Sequence, residues 1–430
     1  MSRAIRSHKQ RKTTTSLCPQ CKRQIPAVVF ERGDEVFLRK ACPDHGDFEV
    51  LINSDRRWYF DSVGAGAECQ CAPGHCDDVI ERGSTCIALI ELVDSCNLPC
   101  PTCYAASPLR DDGGVDCLSV DEFWRRIDAV IARKGPLEIL QLSGGEPTLH
   151  PEFFTILERV LRDTRIGYTL LNTNGVRIAR DDEFARRLGE LHQAHRRFEL
   201  YLQFDGPQKA GQLALRGADL RRVREQAIER AGDFGLPTTL AMTVTPDNMG
   251  SLGETLRFGL ARDTVRGISF QPMFGSGRVH WREPAGVRRL NVGDVVNSLI
   301  EQSDGLLSER DFTPLPCGDP NCHTIGYVLR RDGRYEPVSR HIDFAQVQGF
   351  LKDRVNFDIE DLHRCGCEIE PLGRILKSLE IGPDNVFRIF IKPFMDAWTY
   401  DQDRIDRCCV HVVGPDGKLD SFCRYYALKS

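Results

Sequence analysis

The sequence predicts an α/β protein whose centre is an open, partial barrel of parallel strands, with a metal-binding module before it and a cysteine-rich segment after it. Three observations support this prediction. Six short apolar runs alternate with stretches of helical periodicity between residues 85 and 274. Polar residues follow several of these runs, at the edge where α/β barrels carry their ligands. Closely spaced cysteines lie on both sides of the alternation.

The composition is that of an ordinary globular protein. The 430 residues suffice for two or three domains, and the net charge of −5 gives no reason to expect nucleic acid as a partner. No apolar stretch approaches the ~18 residues that a membrane-spanning helix needs. Residues 1–16 are basic and polar, so we expect a loose tail and not a signal peptide. Eighteen cysteines in such a chain predict metal centres in a reducing cytoplasm.

Two metal-binding knuckles follow the basic tail. Two residues separate Cys18 from Cys21, and two separate Cys42 from His45, with a hairpin pattern between the pairs. Three sulfurs and one imidazole suit a tetrahedral zinc ion, and a mononuclear iron is the alternative. The site is closed, so its expected role is to stabilise a ribbon that is too short to have a large core.

A loop rich in cysteine, glycine and proline connects the ribbon to the first strand. It contains Cys69, Cys71 and Cys76 and ends at Cys86. Loops of this composition wrap iron–sulfur clusters, whose ligands are cysteine thiolates. We expect Cys71 and Cys76, together with Cys86 or Cys69, to bind an auxiliary cluster. The alternative for Cys69 and for Cys86 is a spare thiol.

The predicted barrel consists of six strands joined by helical segments. The strands should be parallel, with right-handed crossovers. Because a complete barrel of this kind needs eight units, we expect an open, partial (β/α)6 TIM-like barrel. The predicted strands are residues 87–93, 137–142, 168–172, 198–204, 238–244 and 267–272. The predicted helices between them are residues 120–132, 152–162, 182–191, 220–231 and 252–261.

Three cysteines follow the first predicted strand with the spacing C-x3-C-x2-C: Cys96, Cys100 and Cys103. Three thiolates this close can hold three irons of a 4Fe–4S cube, and the lack of a fourth leaves one iron open to another ligand. Open sites are typical of catalysis, and the carboxyl end of a barrel strand is where catalysis is expected. Taken alone, the triad would also fit a structural cluster or a zinc knuckle.

The triad, the Tyr104 that follows it and the sequence Gly144-Gly145-Glu146-Pro147 after the second strand together resemble the radical S-adenosylmethionine (radical SAM) superfamily. The resemblance implies that SAM binds the open iron and is cleaved reductively to a 5′-deoxyadenosyl radical, which abstracts hydrogen from an unactivated carbon. It implies an electron donor such as ferredoxin or flavodoxin. It also implies that Gly144, Gly145 and Glu146 secure the SAM amino group and that Tyr104 packs near the adenine.

Polar residues at the other strand ends are further candidates for SAM contacts. In radical SAM enzymes such residues bind the ribose, carboxylate and adenine. The resemblance implies this role for Asn172, Asn174, Gln203, Asp205 and Thr243. Gln271 lies at the corresponding place on the sixth strand. The alternative for each residue is a helix cap, which asparagine and aspartate often supply.

Cysteines return after the barrel. Cys317 and Cys322 have the spacing C-x4-C in a turn-rich loop, and three more cysteines lie near the end of the chain. We expect a second auxiliary cluster, with Cys409 as the substitute for Cys408, bound by Cys317, Cys322, Cys408 and Cys423. The remaining cysteines are expected to be free thiols: Cys117, Cys365 and Cys367.

The order of these parts is similar to that in the radical SAM subfamily of the archaeal tetraether lipid synthases. The similarity runs from Cys18 to Cys423 and includes the Phe-Met-Asp, Cys-Cys-x-His and Phe-Cys sequences of the last segment. It implies a lipid-like or other small-molecule substrate, joined through C–C bond formation or changed by a related oxidation, and it leaves peripheral membrane contact open. The end of the chain departs from the subfamily pattern, so the substrate does not transfer with the architecture.

These expectations divide the chain into four parts: a tail and ribbon at 1–60, an auxiliary-cluster loop at 61–86, a radical SAM barrel at 87–300 and an auxiliary-cluster domain at 301–430. Two other functions stay open. One is a radical SAM methyltransferase, and the other is a non-catalytic iron–sulfur electron-transfer protein. A wide apolar groove at the barrel mouth would favour the lipid-like substrate, and a closed polar pocket would argue against it.

Overall fold

The structure is a computed structural model that describes residues 8–61, 80, 83–109, 114–279, 288–315, 317–331, 333–341 and 385–429. The loop cysteines Cys69, Cys71 and Cys76 lie outside the described residues, as do Cys365 and Cys367. The roles predicted for them therefore stay predictions. The described strands form two sheets, a small one in the ribbon and a large one to which the barrel and the C-terminal segment both contribute.

The ribbon is an antiparallel meander of four strands in sequence order. Alternating apolar residues on its second and third strands face a small core that contains Val29, Val36 and Leu38. The strands are β1 His8–Leu17, β2 Gln24–Arg32, β3 Glu35–Cys42 and β4 Gly46–Asn53.

The expectation of a loose basic tail is wrong for residues 8–16. They form most of β1, which pairs with β2 along its length. The β-branched residues Thr13, Thr14 and Thr15 suit a strand. The basic residues have acidic partners near the other end of the chain: the Lys12 ammonium lies 2.7 Å from the Asp401 carboxylate. Local sequence could not reveal a partner so far away.

The predicted partial barrel is confirmed. Six strands pair in sequence order, and every neighbouring pair is parallel. Apolar strands with helices between them give each unit the same layered packing. The strands are β5 Ile87–Val93, β6 Leu137–Gly144, β7 Ile166–Thr173, β8 Phe198–Gln203, β9 Thr238–Val244 and β10 Val265–Pro272.

Helices alternate with these strands along the chain. In the first of them, the Ser119 hydroxyl accepts a hydrogen bond from the Glu122 amide, which is a typical N-cap. Within the described ranges, no helix is long and apolar enough to cross a membrane. The helices are α1 Val120–Lys134, α2 Phe153–Arg162, α3 Val176–Arg180, α4 Asp182–His195, α5 Lys209–Arg216, α6 Arg221–Asp233, α7 Leu252–Leu260, α8 Val292–Gln302, α9 Gln402–Asp406 and α10 Phe422–Lys429.

The C-terminal segment extends the barrel at both edges. β14 Val386–Ile391 pairs in parallel with β10, and β15 Val410–Val413 pairs in parallel with β5. The parallel run in the described residues therefore contains eight strands, two more than the sequence predicts. Antiparallel strands border this run: β11 Thr313–Pro314, β12 Thr324–Arg331 and β13 Arg334–Pro337 on the β14 side, and β16 Leu419–Ser421 on the β15 side.

Alternation along each strand decides which side chains face the barrel interior. On β14, Phe387, Ile389 and Ile391 are buried, and a Cβ on Gly259 of α7 would contact the Phe387 ring. These residues therefore face the helices. Arg388 and Phe390 point to the opposite side, where they line a cavity in the barrel. On the other barrel strands, too, every second residue faces the interior.

Candidate active site

The cysteine triad lies in a loop between β5 and α1. Cys96, Cys100 and Cys103 line one cavity of about 200 Å³ at the carboxyl ends of the barrel strands. Arg278, which follows β10, fastens the loop: its guanidinium donates to the Cys100 carbonyl at 2.8 Å and to the Ser107 carbonyl at 2.5 Å. The loop therefore presents three thiols to the barrel mouth.

The surroundings of the triad suit a cluster better than a single ion. In the described part of the chain, its three sulfurs do not form a group in which all lie within 4.8 Å of one another, as donors around one tetrahedral ion do. A 4Fe–4S cube binds cysteine sulfurs at separate corners, which are farther apart. Burial raises the pKa of Cys96 to about 12, so a bound cluster would displace the proton of this thiol.

Two glycines bring the turn after β6 against the cysteine loop. Gly144 has a φ of +119°, and a Cβ there would meet the Val93 carbonyl oxygen at 2.1 Å. A Cβ on Gly145 would meet the Ser95 carbonyl oxygen at 2.0 Å. Both glycines line the cavity. The close approach of the two backbones explains why side chains are excluded from this part of the predicted SAM site.

Glu146 and Pro147 lie behind this turn and do not line the cavity. The buried Glu146 carboxylate accepts hydrogen bonds from the Thr148 hydroxyl, the Thr173 hydroxyl and the Asn174 amide, each at 2.7 Å. Burial raises its pKa, and these hydrogen bonds oppose the rise. The contact of Glu146 with the SAM amino group stays a prediction; in this structure the carboxylate joins the β6 turn to the end of β7 and supports the cavity wall.

The SAM contact predicted for Asp205 also stays a prediction, and the structure shows a different set of partners for this residue. Its fully buried carboxylate pairs with the Arg216 guanidinium through two hydrogen bonds of 2.6 and 2.7 Å, and it does not line the cavity. Arg216 does line the cavity. Burial raises the pKa of Cys100, and the Arg216 guanidinium counteracts that rise. Asp205 thus orients the Arg216 guanidinium toward the triad, and Arg216, not Asp205, lines the cavity.

The other predicted SAM contacts face the cavity. Alternation brings polar side chains of neighbouring strands onto one surface, and hydrogen bonds hold several of them. The Asn174 side chain donates to the Asn97 side-chain oxygen at 2.7 Å, and the Arg224 guanidinium donates to the Gln203 oxygen at 2.7 Å. Of the predicted residues, the cavity is lined by Tyr104, Gly144, Gly145, Asn172, Asn174, Gln203 and Thr243, and also by Gln271.

Sequence reasoning misses many of the residues that line this cavity, among them Gln141, Tyr201, Arg216, His323 and Lys392. Gln141 and Tyr201 each lie two residues before a polar strand end. Extending the alternation one step down each strand would therefore have found them. His323 and Lys392 come from the C-terminal segment, which joins the barrel only through tertiary pairing. No local pattern places them in the barrel interior.

An aromatic cluster covers one side of the cavity. The Tyr104 ring contacts the rings of Phe274, Phe422 and Tyr426, with centroid distances of 5.9, 5.8 and 4.9 Å. The Tyr426 hydroxyl donates to the Glu91 carboxylate on β5 at 2.7 Å. The end of the chain is thereby tied to the first barrel strand. Its rings help to exclude water from the triad side of the cavity.

Three buried cysteines from distant parts of the chain meet beside the barrel interior. The sulfurs of Cys86, Cys317 and Cys409 all lie within 4.8 Å of one another. Cys86 and Cys317 form a disulfide in the structure, but their Cα atoms are 7.5 Å apart, which is wider than a disulfide normally spans. Three thiols in one buried group fit a metal centre better than one disulfide with a spare thiol, and an iron–sulfur cube would require the three sulfurs to lie farther apart than they do here.

This grouping differs from the predicted ligand sets, and the predicted pairing of Cys86 with Cys71 and Cys76 stays a prediction because those two cysteines lie outside the described residues. The sequence groups Cys86 with Cys71 and Cys76, and it groups Cys317 with Cys322, Cys408 and Cys423. The structure instead joins Cys86 and Cys317 to Cys409, which the sequence offers only as a substitute. The physical reason is that a spacing pattern groups cysteines that are close along the chain. The adjacent residues Cys408 and Cys409 instead belong to different groups of buried thiols.

The other three thiols have a buried environment of their own. Burial raises the pKa of Cys322, Cys408 and Cys423, and Cys408 adds to the rise at the other two. The Arg404 guanidinium donates to the Cys322 sulfur at 3.6 Å. A buried cation beside these sulfurs would stabilise thiolates, which are the form that binds metals. Their role as cluster ligands stays a prediction.

The ribbon brings its four predicted ligands together. The donor atoms of Cys18, Cys21, Cys42 and His45 lie within 4.8 Å of one another, as a tetrahedral ion requires. Burial would raise the pKa of Cys42, but hydrogen bonds from the Asp44 backbone and from His45 lower it to about 6. The thiolate is thus available at neutral pH. This donor set suits zinc.

Comparison with known proteins agrees with these features. The family model described as the radical SAM superfamily matches residues 90–259, and the one described as the HMPTM N-terminal zinc ribbon domain matches residues 10–54. A curated protein of Methanocaldococcus jannaschii, 7,8-dihydro-6-hydroxymethylpterin dimethyltransferase, is 27% identical over an alignment of 492 positions, gaps included. That similarity covers 97% of this chain and 94% of the other protein.

Two further similarities are shorter. A GTP 3′,8-cyclase of Edwardsiella ictaluri is 38% identical over 93 residues, which cover 21% of this chain and 28% of that protein. Among solved structures, Streptococcus suis SuiB bound to S-adenosylmethionine is 14% identical, with a TM-score of 0.37. The likeness covers 51% of this chain and 48% of that one.

Proposed function

We propose that this chain, which belongs to the radical SAM superfamily, methylates a small, planar, polar ring compound such as a reduced pterin. The chain is a radical SAM enzyme whose cofactors are a 4Fe–4S cluster and SAM, and its ribbon suits zinc. One observation carries the proposal: the triad, the predicted SAM contacts and several amide and ammonium groups line a single cavity of about 200 Å³. A cavity of this size and lining fits a compact polar substrate.

The relative from M. jannaschii supports a ring substrate. It is a pterin dimethyltransferase by name, and the similarity extends over nearly the whole of both proteins. The zinc ribbon at residues 10–54 is part of the same correspondence. At 27% identity the substrate does not follow from similarity alone. We therefore propose a chemical class, and the pterin is the probe for it.

The lipid-like substrate, with C–C bond formation or a related oxidation, ranks lower. It requires a wide apolar groove, whereas this cavity, although much of its lining is apolar, also exposes the polar groups of Gln141, Gln203, Gln271 and Lys392. An alkyl chain would leave the hydrogen bonds of these groups unmade, which costs free energy. The electron-transfer alternative is set aside, because the chain is an enzyme of the radical SAM superfamily.

Cys96, Cys100 and Cys103 would hold the catalytic cluster. When bound, the cluster would supply the electron for reductive cleavage of SAM, and this chemistry would provide the 5′-deoxyadenosyl radical for hydrogen abstraction from the substrate. The protein's part is to hold the reactants in place and to exclude water. Gly144 and Gly145 leave room at the cysteine loop for a ligand to approach the backbone.

Paired side chains orient the groups that face the reactants. Asp205 holds Arg216 toward the triad. Arg224 donates to the Gln203 oxygen, so the Gln203 amide nitrogen is left as a donor toward the cavity. These hydrogen bonds fix the polarity of the wall before a ligand binds. Such preorganisation reduces the entropy that is lost when the reactants bind.

Electrons must come from a separate donor, and we propose a ferredoxin or a flavodoxin. The trio Cys86, Cys317 and Cys409 would hold an auxiliary centre close to the substrate. Cys409 lines a smaller cavity that shares Val410 and other lining residues with the main one. A centre there could exchange an electron with the substrate over a short distance.

Anaerobically reconstituted protein, dithionite, SAM and 7,8-dihydro-6-hydroxymethylpterin test the proposal. We expect a pterin in which methyl replaces hydrogen. For each methyl, one C–H bond, two SAM and two electrons give the methylated ring, methionine, 5′-deoxyadenosine and S-adenosylhomocysteine. Chromatography with mass spectrometry separates these products. SAM deuterated in its methyl group should transfer deuterium to the pterin.

Two variants control this experiment. Cys100→Ala removes a predicted cluster ligand and should abolish all products. Cys117→Ala removes an exposed free cysteine outside the triad and should retain them. If 5′-deoxyadenosine forms and the pterin stays unmethylated, pterin methylation is wrong while SAM cleavage stands. If an iron-loaded protein forms neither nucleoside, the assignment of the triad is wrong as well.

A further inference from the structure

The barrel interior continues beyond the cavity that the triad lines. A second cavity of about 50 Å³ is lined by residues from the first half of β6, β7, β8 and β9, toward their amino ends. The two cavities share five lining residues, which we call the barrel floor: Ile87, Tyr201, His323, Lys392 and Val410. Three of these five carry polar groups in a space that the mechanism above does not use.

Lys392 is a cation of the barrel floor whose ammonium has no hydrogen-bond acceptor among the described residues. It follows β14 with the same alternation that turns Arg388 and Phe390 inward. Its Nζ lies 5.6 Å from the centroid of the Tyr201 ring and 5.3 Å from that of the Phe390 ring. The buried carboxylate of Glu199 is already paired with Arg388 at 2.8 Å.

His323 adds a second polar group without a partner. It is only 6% exposed, and its Nδ1 has no hydrogen bond to any described residue. Buried polar atoms in native proteins are nearly always hydrogen-bonded. An unsatisfied buried nitrogen beside an ammonium that has no acceptor among the described residues therefore indicates that a polar ligand completes the floor.

Gln271 places a hydrogen-bond acceptor beside Lys392. Its Nε2 donates to the Tyr201 hydroxyl at 2.6 Å and to the Ser269 hydroxyl at 3.3 Å. The amide oxygen Oε1 accepts no hydrogen bond from the described residues and is left for a ligand N–H. Gln271 and Lys392 follow the paired residues Phe270 and Ile391 of neighbouring strands, and the Lys392 amide donates to the Phe270 carbonyl at 2.9 Å, so a donor and an acceptor residue are neighbours on one wall.

We propose that Lys392 and Gln271 recognise the substrate ring by its lactam edge, where a carbonyl oxygen stands beside a ring N–H. The Lys392 ammonium donates to the carbonyl oxygen, and the Gln271 oxygen accepts from the N–H. This inference rests on the proposed function and deepens it, because it names the edge of the ring that binds. Pterins, lumazines and guanine carry such an edge, and an alkyl chain does not.

A counter-charge role is the alternative for Lys392. Burial lowers the pKa of Lys392 to about 8, and a thiolate at Cys409 would oppose that change. If Lys392 served only to balance charge at a centre bound by Cys409, its removal would change the spectrum or potential of that centre. The affinity for the ring would then stay the same. Binding and spectroscopy together therefore separate the two roles.

Equilibrium dialysis of the reconstituted, unreduced enzyme with 7,8-dihydro-6-hydroxymethylpterin measures ring binding without turnover. We expect Lys392→Met and Gln271→Met each to raise the Kd about tenfold or more, since each leaves one hydrogen bond unmade. Lys392→Arg should restore part of the affinity. Lys418→Met removes an exposed lysine of the same segment and should leave the Kd unchanged. Circular dichroism and iron content show that each variant is folded and loaded.

A ligand pair provides the second half of the test. Lumazine keeps the lactam edge and should bind. In 2,4-diaminopteridine an amino group replaces the carbonyl of the pterin, so this compound should bind about tenfold more weakly. Lys392→Met should then lower its affinity little further. Equal affinity of all variants for the pterin would overturn the inference. So would an altered electron paramagnetic resonance spectrum of Lys392→Met with an unchanged Kd, or the failure of every lactam ring to bind.

The outcomes also separate this inference from the proposed function. If pterin binding depends on Lys392 and Gln271 but no methyl is transferred, recognition of the lactam edge stands and methylation is wrong. If the pterin is methylated and the variants bind it as tightly as the unaltered enzyme, methylation stands and the recognition residues are wrong.

Discussion

At the scale of single residues, Glu146 acts on the cavity through its neighbours. Its carboxylate accepts hydrogen bonds from residues of the β6 turn and from the end of β7. The Asn174 side chain, next to one of these hydrogen bonds, reaches the cavity. The residue thus connects two strand ends whose side chains face the triad.

Glu146→Gln tests this positioning role. The substitution keeps the size of the side chain but turns one acceptor oxygen into a donor, which would face the donors that now bind the carboxylate. We expect the free energy of unfolding to fall by about 1–3 kcal/mol, as for a buried group that loses its partner. We also expect the yield of 5′-deoxyadenosine to fall about tenfold, because the turn beside the cysteine loop would move. Urea titration and chromatography measure the two effects.

Glu152→Gln is the matched control, because Glu152 is exposed at the start of α2. It should change neither quantity. An equal loss in both variants, or no loss in Glu146→Gln, would contradict the positioning role.

At the scale of secondary-structure elements, the ribbon docks on the C-terminal segment through a buried lysine. The Lys40 ammonium on β3 donates to the Ser16 hydroxyl at 3.0 Å and to the carbonyls of Ala397 and Trp398 at 2.6 and 2.8 Å. The carboxylate of Asp396, the residue before Ala397, accepts a hydrogen bond from the backbone amide of Gly275 at 2.6 Å. The ribbon is therefore linked to the segment that follows β10.

Lys40→Met should weaken this docking. Methionine has a similar length but no donor, so the carbonyls of Ala397 and Trp398 would lose the hydrogen bond from Lys40. We expect a loss of about 2–4 kcal/mol in the free energy of unfolding, because each unsatisfied buried group costs about 1–3 kcal/mol. Urea titration measures the loss. Lys9→Met, at an exposed position of β1, should cost less than about 0.5 kcal/mol. A similar cost for the two variants would show that the buried lysine has no special role.

The metal of the ribbon belongs to the same scale. The four donors come from two turns of a sheet with a small core, so we expect folding of the ribbon to depend on the ion. Cys21→Ser should lower the zinc content from one ion per chain to none, measured by plasma mass spectrometry. Limited proteolysis should then cut within residues 8–61. Full zinc content in Cys21→Ser would rule out this site, and resistance to proteolysis without zinc would show that the ribbon folds unaided.

At the scale of the whole molecule, the C-terminal segment completes the barrel at both of its edges. β14 brings Lys392 to the interior, and β15 brings Cys409 beside Cys86, which immediately precedes β5. A backbone hydrogen bond of 3.0 Å from the Cys86 amide to the Cys409 carbonyl holds these two residues in register. The trio therefore depends on the pairing of β15 with β5.

Cys409→Ser tests whether the trio binds an iron centre. We expect the iron content of reconstituted protein to fall by up to four atoms per chain, because serine is a poor replacement for a thiolate ligand of iron. Iron and acid-labile sulfide analysis measures the change, and Cys117→Ser serves as the control that should keep full iron. Two results together would favour a Cys86–Cys317 disulfide: unchanged iron in Cys409→Ser, and a count of titratable thiols in the unfolded variant that is two lower than its number of cysteines.

Much of the fold could be predicted because it is encoded locally. Apolar runs of strand length, separated by helical segments, specify a parallel sheet whatever surrounds them, and all six predicted strands are present. The triad and the ribbon ligands were also predictable as groups. Each set lies within one loop or one hairpin, so its spacing along the chain is close to its spacing in space.

The rest of the site depends on contacts between distant segments. Which thiols meet and where Lys392 lies follow from strands that pair across most of the chain. Such pairings depend on burial and register, which leave no fixed spacing in the sequence. The partners of Glu146, and the Arg216 that pairs with Asp205, are closer in sequence, at most 28 residues away, but no spacing pattern marks them. By itself the sequence therefore determined the six-unit barrel, the triad and the zinc ribbon. Only the tertiary structure decided the auxiliary trio and the polar floor of the cavity, because their residues meet when the two ends of the chain close on the barrel.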